Sequence, residues 1–247
     1  MMRTANPALN EGIFSQARLS AGIKTGTMTV QGTVNKTFLL LLTLLITASI
    51  TWFQYIAQNT GLVAALTMVG VIGGIGLGIA TVLKKEWAPV TAPLYAAAQG
   101  LLLGGFSSML EAQFPGIVIQ AVGLTFGTLF CLLGAYKSEM IKVTENFKLG
   151  IFAATGGIAV FYLVSFVLSF FGVSLFTDNS PLSIGISLVI VVIAALNLVL
   201  DFDFIENGAK SGAPKYMEWY AAFGLMVTLV WLYIEILRLL AKLRSRD

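Results

Sequence analysis

The sequence predicts an all-α integral membrane protein with several transmembrane helices. Of its 247 residues, 57% are hydrophobic and 11% are charged, and the mean hydropathy is +0.87. Soluble domains carry about 25% charged residues, so this chain has more apolar surface than one soluble core can bury. Its apolar stretches are continuous runs rather than alternating apolar and polar residues, which favours helices over a β-barrel.

Seven apolar runs are long enough to cross a bilayer, which takes about 20 helical residues. We place the transmembrane helices at residues 37–57, 61–83, 88–110, 116–136, 149–172, 182–204 and 218–240. The first 35 residues are polar and lack the pattern of a signal peptide. We therefore predict a polar N-terminal cytosolic tail over residues 1–35, followed by a seven-helix membrane domain over residues 36–243.

Positive charge is concentrated in alternate connections. Lysine or arginine precedes the first span and follows the second, fourth and sixth, whereas the connections near 58–60, 111–115 and 173–181 hold neither. Cytosolic loops carry the excess of these residues, so the N-terminus is predicted to be cytosolic. The C-terminus is also basic, although seven crossings place it outside. Either residues 218–240 cross the membrane, which we favour, or they enter it and return to the cytosol.

Glycines at four-residue spacing mark expected contacts between helices, because small residues let two backbones approach closely. They occur in the second, third and fourth spans as Gly70, Gly74 and Gly78, Gly100 and Gly104, and Gly123 and Gly127. Cys131 is the only cysteine, so no intramolecular disulfide is available. It lies in an apolar run and is expected to be a packed small residue.

Two acidic residues lie within apolar runs, Asp201 in ALNLVLDFDFI and Glu235 in VTLVWLYIEILRLL. A charge at membrane depth costs roughly 2.5–3.5 kcal/mol on insertion scales, so such residues are usually functional. The chain has no histidine, which leaves carboxylates as the natural proton carriers near neutral pH. The simpler alternatives are a surface position for Asp201 and a local ion pair between Glu235 and Arg238.

Asp201 and Glu235 would form a proton-sharing latch if they faced one another, since two adjacent carboxylates do not both ionise cheaply. Loss of the shared proton would push the two helices apart, and the pair would attract a hard cation such as calcium. Asn197 shares a helix face with Asp201 and is a candidate hydrogen-bond partner. Asp203 points roughly the opposite way and is interpreted as a solvated carboxylate at the membrane edge.

The depth of the two acids opposes this pairing. With a turn near Ser211, Asp201 lies about 15 Å up one helix and Glu235 about 36 Å along the next. They reach one depth only if part of residues 206–220 is a surface loop or an interfacial helix. The aromatic stretch 216–220 fits that requirement, because Trp and Tyr favour the membrane interface.

Four segments carry a resemblance to a known family: RTANPALNEGIF, AAQGLLLGGFSSMLEAQFPGIVIQAV, LVLDFDFIENGAKSGAPKYMEW and WLYIEILRLLAKL. Together they resemble the Bax inhibitor-1 / YccA family, also called the transmembrane Bax inhibitor motif family, and in particular its bacterial YetJ-like branch. The resemblance implies seven helices, as two groups of three around a central C-terminal helix. It also implies a pH-sensitive calcium leak in the plasma (inner) membrane.

The resemblance assigns residues as well. Asp201 matches the family's sixth-helix aspartate, and Glu235 matches its last-helix acid, with Glu in place of Asp. The resemblance implies that these two form the pH-sensing gate. A basic residue at the end of the second helix pairs with the sixth-helix acid in the family, and Lys84 or Lys85 fits that place. Arg238 lies close enough in sequence to compete for Glu235.

The favoured function is therefore a pH-sensitive calcium leak channel, with the lipid bilayer, protons and calcium ions as partners. The alternative is a membrane regulatory or interaction protein of a stress or protease system without ion flux. We expect no enzymatic activity, no cofactor and no nucleic-acid binding. A serine–histidine dyad is impossible without histidine, and the GxGD context of intramembrane aspartyl proteases is absent. The glycine row GGIGLG lacks the Lys-Ser/Thr of a phosphate loop.

Overall fold

The computed structural model describes residues 26–172 and 180–245, and these residues form seven α-helices. In chain order the helices are α1 Val30–Ile56, α2 Thr60–Leu83, α3 Ala88–Gln113, α4 Ile117–Lys137, α5 Glu145–Ser169, α6 Pro181–Lys210 and α7 Met217–Arg244. A short 3-10 helix, Lys85–Trp87, joins α2 to α3. The prediction of an all-α chain is confirmed over these ranges, whereas residues 1–25 of the predicted tail lie outside them.

The described part of the protein is apolar on its outside. Large hydrophobic side chains such as Phe38, Ile72 and Phe166 are exposed, while polar ones such as Ser107 and Asn197 are buried. So much exposed apolar surface is unfavourable in water and suits lipid. By length and composition, six of the seven helices could span a bilayer, all except α3. This is a multi-pass helical membrane protein.

Helix α3 is the exception because neighbouring helices cover much, though not all, of its surface. It packs against both α1 and α2, and its buried positions are largely alanine, glycine and serine. Ser107 and Ser108 are tolerated on its buried face, whereas its exposed face keeps apolar residues such as Val90 and Leu94. The predicted span at 88–110 is therefore a helix, but it is less apolar than the other six.

Glycines allow α3 to lie directly against its two neighbours. A Cβ atom placed on Gly70 of α2 would lie 2.6 Å from the backbone carbonyl oxygen of Ala98. Cβ atoms on Gly100 and Gly104 would overlap backbone atoms of α1, including the carbonyl oxygen of Leu44. The sequence prediction of close helix contacts is confirmed at these positions.

The same prediction is wrong for α4. Cβ atoms on Gly123 and Gly127 would meet no atom of the described residues within 4 Å. Cys131 on the same helix is exposed rather than packed. Four-residue spacing permits a close contact, but it does not supply a neighbouring helix on that face.

The chain divides into two compact units. Within the described residues, the α1–α3 unit comprises 26–115 and 204–227, and the α4–α6 unit comprises 116–203 and 228–245. Helix α7 contributes its first part to one unit and its remainder to the other, and it is the most buried of the candidate spans. The predicted arrangement of two three-helix groups around a central last helix stays a prediction.

Glu218, in the first turn of α7, ties α7 to the start of α1 within the α1–α3 unit. Its fully buried side chain accepts hydrogen bonds from the backbone N–H and the hydroxyl of Thr29, both at 2.9 Å. It also pairs with Lys36 and with Lys215, the latter at 2.8 Å. A Cβ atom on Gly32 would overlap the carboxylate, so Glu218 lies directly against the α1 backbone. We call these five residues the Glu218 site.

Two boundaries near the Glu218 site differ from those expected from the sequence. Thr29 caps α1 by accepting from the Gly32 N–H, so α1 begins at Val30 instead of near residue 37. The Met28 N–H donates to the carbonyl oxygen of Ala213 at 2.7 Å. Helix α6 continues to Lys210 and α7 starts at Met217, so only residues 211–216 connect the two helices.

We expect Gly104→Ala to destabilise the protein by about 2 kcal/mol, because the added methyl would force α1 and α3 apart. Gly127→Ala is the matched control, since its Cβ would face open space and alanine favours a helix over glycine by about 1 kcal/mol. Thermal unfolding midpoints in detergent measure both effects. Equal midpoints for the two variants would contradict the close α1–α3 contact.

We expect Glu218→Gln to lower the free energy of unfolding by about 3 kcal/mol, because the two lysines lose the buried charge that they surround. Glu206→Gln is the control: its pair with Lys210 has side chains that are 40% and 69% exposed. An exposed pair contributes about 0–1 kcal/mol. Denaturation of both variants in detergent tests this difference, and similar losses would mean that the Glu218 site is not a major stabilising contact.

Candidate functional site

The register of α6 against α7 is fixed by Lys242. Its Nζ donates to the hydroxyls of Ser183 at 2.8 Å and Ser187 at 2.9 Å. The end of α7 therefore lies beside the start of α6, and the two helices run antiparallel. Since α7 is one continuous helix of 28 residues, this geometry contradicts the alternative in which residues 218–240 turn back within the membrane.

Polar side chains follow this interface in layers seven residues apart. On α7 they are Thr228, Glu235 and Lys242. On α6, Ser187 contacts Lys242, and Asp201 lies fourteen residues further along, which places it on the same helix face. A seven-residue step returns to the same helix face and advances about 10 Å. Depth is counted in residues from the contact of Lys242 with Ser183 and Ser187, backward along α7 and forward along α6. Thr228 is then at about the depth of Asp201, whereas Glu235 is at the depth of Val192 and Ala194.

Asp201 and Glu235 are both buried, with 0% and 2% of their surface exposed, but at different depths. The register separates them by roughly 10–13 Å along the helix axes. The structure therefore does not form the direct carboxylate pair that the latch requires. The two acids differ in depth because the 211–216 connection is short. Asp201 lies ten residues before its first residue and Glu235 lies nineteen residues after its last, and no additional loop compensates for this difference. Their role as proton-binding groups stays a prediction.

Glu235 is surrounded by donors from α5 and α7. The hydroxyl of Tyr162 donates to its Oε1 at 2.7 Å, and the indole N–H of Trp231 donates to the same oxygen at 3.2 Å. Arg238 reaches Oε1 at 3.4 Å, and its guanidinium lies 5.7 Å from the centre of the Tyr162 ring. The ion pair between Glu235 and Arg238, which was the simpler interpretation of Glu235, is therefore present. Tyr162 and Trp231 extend it to a larger site.

Asp203 is not the solvated carboxylate that we predicted. It pairs with Lys148 of α5 at 3.0 Å, and its side chain is 17% exposed. Lys148 is 3% exposed and also lies 3.5 Å from Glu145. In the sequence Lys148 precedes the span predicted from residue 149 and so resembles a loop charge. The available signal was Thr144 followed by Glu145, a helix N-terminus pattern that places Lys148 inside the first turn.

Asn197 does not serve as a donor to Asp201. Its side-chain N–H groups go to the hydroxyl of Thr155 on α5 at 2.9 Å and to the carbonyl oxygen of Ile193 at 2.8 Å. An amide nitrogen has two N–H donors, so both are in use. Asn197 instead connects the middle of α6 to α5.

Lys84 and Lys85 lie at the end of α2, as the sequence analysis required. Lys84 ends that helix, and Lys85 begins the 3-10 helix. The ammonium of Lys85 lies 5.9 Å from the centre of the Tyr220 ring of α7, and burial lowers the pKa of Lys85. Within the α1–α3 unit Lys85 thus contacts α7. A pairing of either lysine with Asp201 stays a prediction.

These features define a class of protein: a multi-pass helical membrane protein whose last two long helices bury charged side chains. A sequence model of the family described as "Bax inhibitor 1 like" matches residues 6–245. The chain belongs to this family, which confirms the resemblance over nearly its whole length. Comparison with curated proteins and with solved structures gave no significant match. The more specific likeness to the bacterial branch stays a prediction.

We expect Lys148→Met to cost about 3 kcal/mol of stability, because it leaves the Asp203 carboxylate without its buried cation. Lys142→Met removes an exposed lysine from the preceding connection and should change stability by less than about 0.5 kcal/mol. The double variant Lys148→Met/Asp203→Leu should recover most of the loss, since no lone charge remains. Unfolding midpoints in detergent test the series, and a double variant less stable than Lys148→Met alone would refute the pairing.

Proposed function

We propose that this protein is a pH-sensitive cation leak channel without enzymatic activity, with calcium as the permeant ion and Asp201 and Glu235 as its proton-binding groups. The observation that carries this proposal is the burial of two carboxylates inside helices that could span a bilayer, in a chain without histidine. The family resemblance supports the same function.

The chemistry of a buried carboxylate supports a leak. In a medium of low dielectric constant the ionised group attracts a proton or a metal cation strongly. Proton binding removes the negative charge that a cation needs, so acidification opposes cation entry at each acid. Two acids at different depths, rather than one latch, give a cation two successive places to rest.

Weak, separated sites suit conduction better than one tight site, since an ion must both enter and leave. Calcium in tight protein sites takes six to eight oxygen ligands. Among the described residues, no group of three or more acidic, cysteine or histidine side chains could hold a metal ion. We infer that calcium passes along this protein instead of being stored in it.

We infer a cytosolic N-terminus from the positive charge of alternate connections, and a plasma-membrane location from the family resemblance. The start of α1 is hydrogen-bonded to the 211–216 connection, so both lie on the cytosolic side in this orientation. Asp201, nine residues before the end of α6, then lies in the cytosolic half of the membrane. Glu235, nine residues before the end of α7, lies in the outer half.

The test is calcium influx into liposomes that contain the purified protein, measured between about pH 6 and pH 8. We expect Asp201→Asn and Glu235→Gln each to lower the flux and to shift its pH midpoint. Because the two acids lie in separate layers, their effects on the logarithm of the flux should add in the double variant. A direct latch would instead make the double variant resemble either single one.

Glu206→Gln provides the control, because it removes a partly exposed acid and should leave the flux unchanged. Folding of each variant is checked by its elution profile and unfolding midpoint in detergent. An absence of flux from every folded variant, wild type included, would reject the leak. That result would instead fit a membrane regulatory or interaction protein.

A further inference from the structure

Lysines surround the start of α7 in the α1–α3 unit. The ammonium of Lys36 on α1 lies 5.5 Å from the centre of the Trp219 ring, and that of Lys85 lies 5.9 Å from the centre of the Tyr220 ring. Two further lysines lie beside these contacts, one directly before Lys85 and one just before α7. We call the four lysines the basic rim: Lys36, Lys84, Lys85 and Lys215.

Only half of the basic rim is neutralised by a carboxylate. Lys36 and Lys215 pair with Glu218, whereas no carboxylate of the described residues forms an ion pair with Lys84 or Lys85. Lys84 is exposed and Lys85 is partly buried, and burial lowers the pKa of Lys85. A nearby anion would offset the cost of burying that positive charge. Lys84 and Lys85 are thus the lysines of the rim that can take a new anionic partner.

Glu86, next to these two lysines, leaves the rim positive. It lies near Tyr216, and burial together with this carboxylate raises the pKa of the Tyr216 hydroxyl. The four lysines of the rim exceed Glu86 and Glu218 by two positive charges. A surface with such an excess attracts anions.

Aromatic residues place the basic rim at the depth of lipid head groups. Trp87 is 57% exposed and ends the 3-10 helix that begins with Lys85. Trp219 is partly buried beside Lys36. Tryptophan favours the membrane interface, where lysine is attracted by anionic lipids. At the other end of α1, the connection 57–59 holds neither lysine nor arginine.

We propose that the basic rim binds the head group of an anionic phospholipid, with Lys84 and Lys85 contacting its phosphate and Trp87 lying beside its glycerol. A lipid fits better than a soluble anion, because the positive charge and the exposed indole lie together at the end of apolar helices. In the orientation inferred above, the lipid belongs to the cytosolic leaflet, whose surface is negative. This inference is separate from the proposed leak and requires no ion flux.

Trp87 fluorescence reports which lipid lies at the rim. The full-length protein is reconstituted in phosphatidylcholine vesicles that contain a minority of phosphatidylglycerol. Bromine, which quenches nearby tryptophan, is carried on the acyl chains of one lipid or the other, and the Trp87 signal is the fluorescence that Trp87→Phe removes. We expect phosphatidylglycerol to be preferred at Trp87 by at least about fivefold over its share of the vesicle, the effect of one lysine near an anionic lipid.

Lys84→Gln/Lys85→Gln should reduce this preference to below about twofold, because it removes the two lysines that contact the phosphate. Lys137→Gln/Lys142→Gln is the matched control, since it removes two exposed lysines of the α4–α6 unit. It should change the preference at Trp87 by less than about twofold, because separated surface charges are screened. Equal effects of the two double variants would mean that net charge alone attracts the lipid, and would overturn the proposal.

Trp52 is a control within the same unit. It lies on α1 sixteen residues after Lys36, about 24 Å along the helix. Phosphatidylglycerol should quench the Trp52 signal, which Trp52→Phe defines, only in proportion to its share of the vesicle. A preference at Trp52 equal to that at Trp87 would show that this lipid surrounds the protein without a site, and would contradict the proposal.

Inorganic phosphate separates a lipid from a free anion. Phosphate and chloride at equal ionic strength should weaken the preference to the same extent, because both only screen the lysines. If phosphate removes the preference and chloride does not, the rim binds the free ion and the lipid proposal is wrong. A lipid preference at Trp87 in a protein that conducts nothing would support this inference and reject the leak alone.

Discussion

The antiparallel register of α6 and α7 determines the depth of the charges on their shared interface. It is fixed by the short 211–216 connection at one end and by the hydrogen bonds of Lys242 to Ser183 and Ser187 at the other. Because both ends of the helix pair are held, α6 and α7 cannot shift past one another by a helical turn. Asp201 and Glu235 consequently belong to separate layers, and each must find its partners at its own level.

A bilayer offers no water to solvate buried charges, and three buried charges of this protein are met by side chains from a second helix. Glu218 of α7 is met by α1, Lys148 of α5 by α6, and Glu235 of α7 by α5. Such contacts add less stability than their number suggests, because desolvation opposes the attraction. We infer that their larger effect is specificity, since each pairing is satisfied in only one arrangement of its helices.

Apolar runs predicted the helices well, because span length follows from bilayer thickness. The second span was predicted at 61–83 and α2 is Thr60–Leu83, while the last was predicted at 218–240 and α7 is Met217–Arg244. The start of α1 was missed, since Glu218 fixes it from 189 positions away. The partners of Glu235 were only partly predictable: Arg238 follows from helical spacing, whereas Tyr162 depends on how α5 packs.

The hydrogen bond between Thr29 and Glu218 joins positions 189 residues apart in the chain, which has a consequence for the order of biosynthesis. Translation at about 5–20 residues per second separates the two by roughly 10–40 s. During that interval α1 exists without α7, and Lys36 has no Glu218 to pair with. Until the last helix has been made, Lys36 must therefore stay hydrated, and the contact of α1 with Glu218 can form only afterwards.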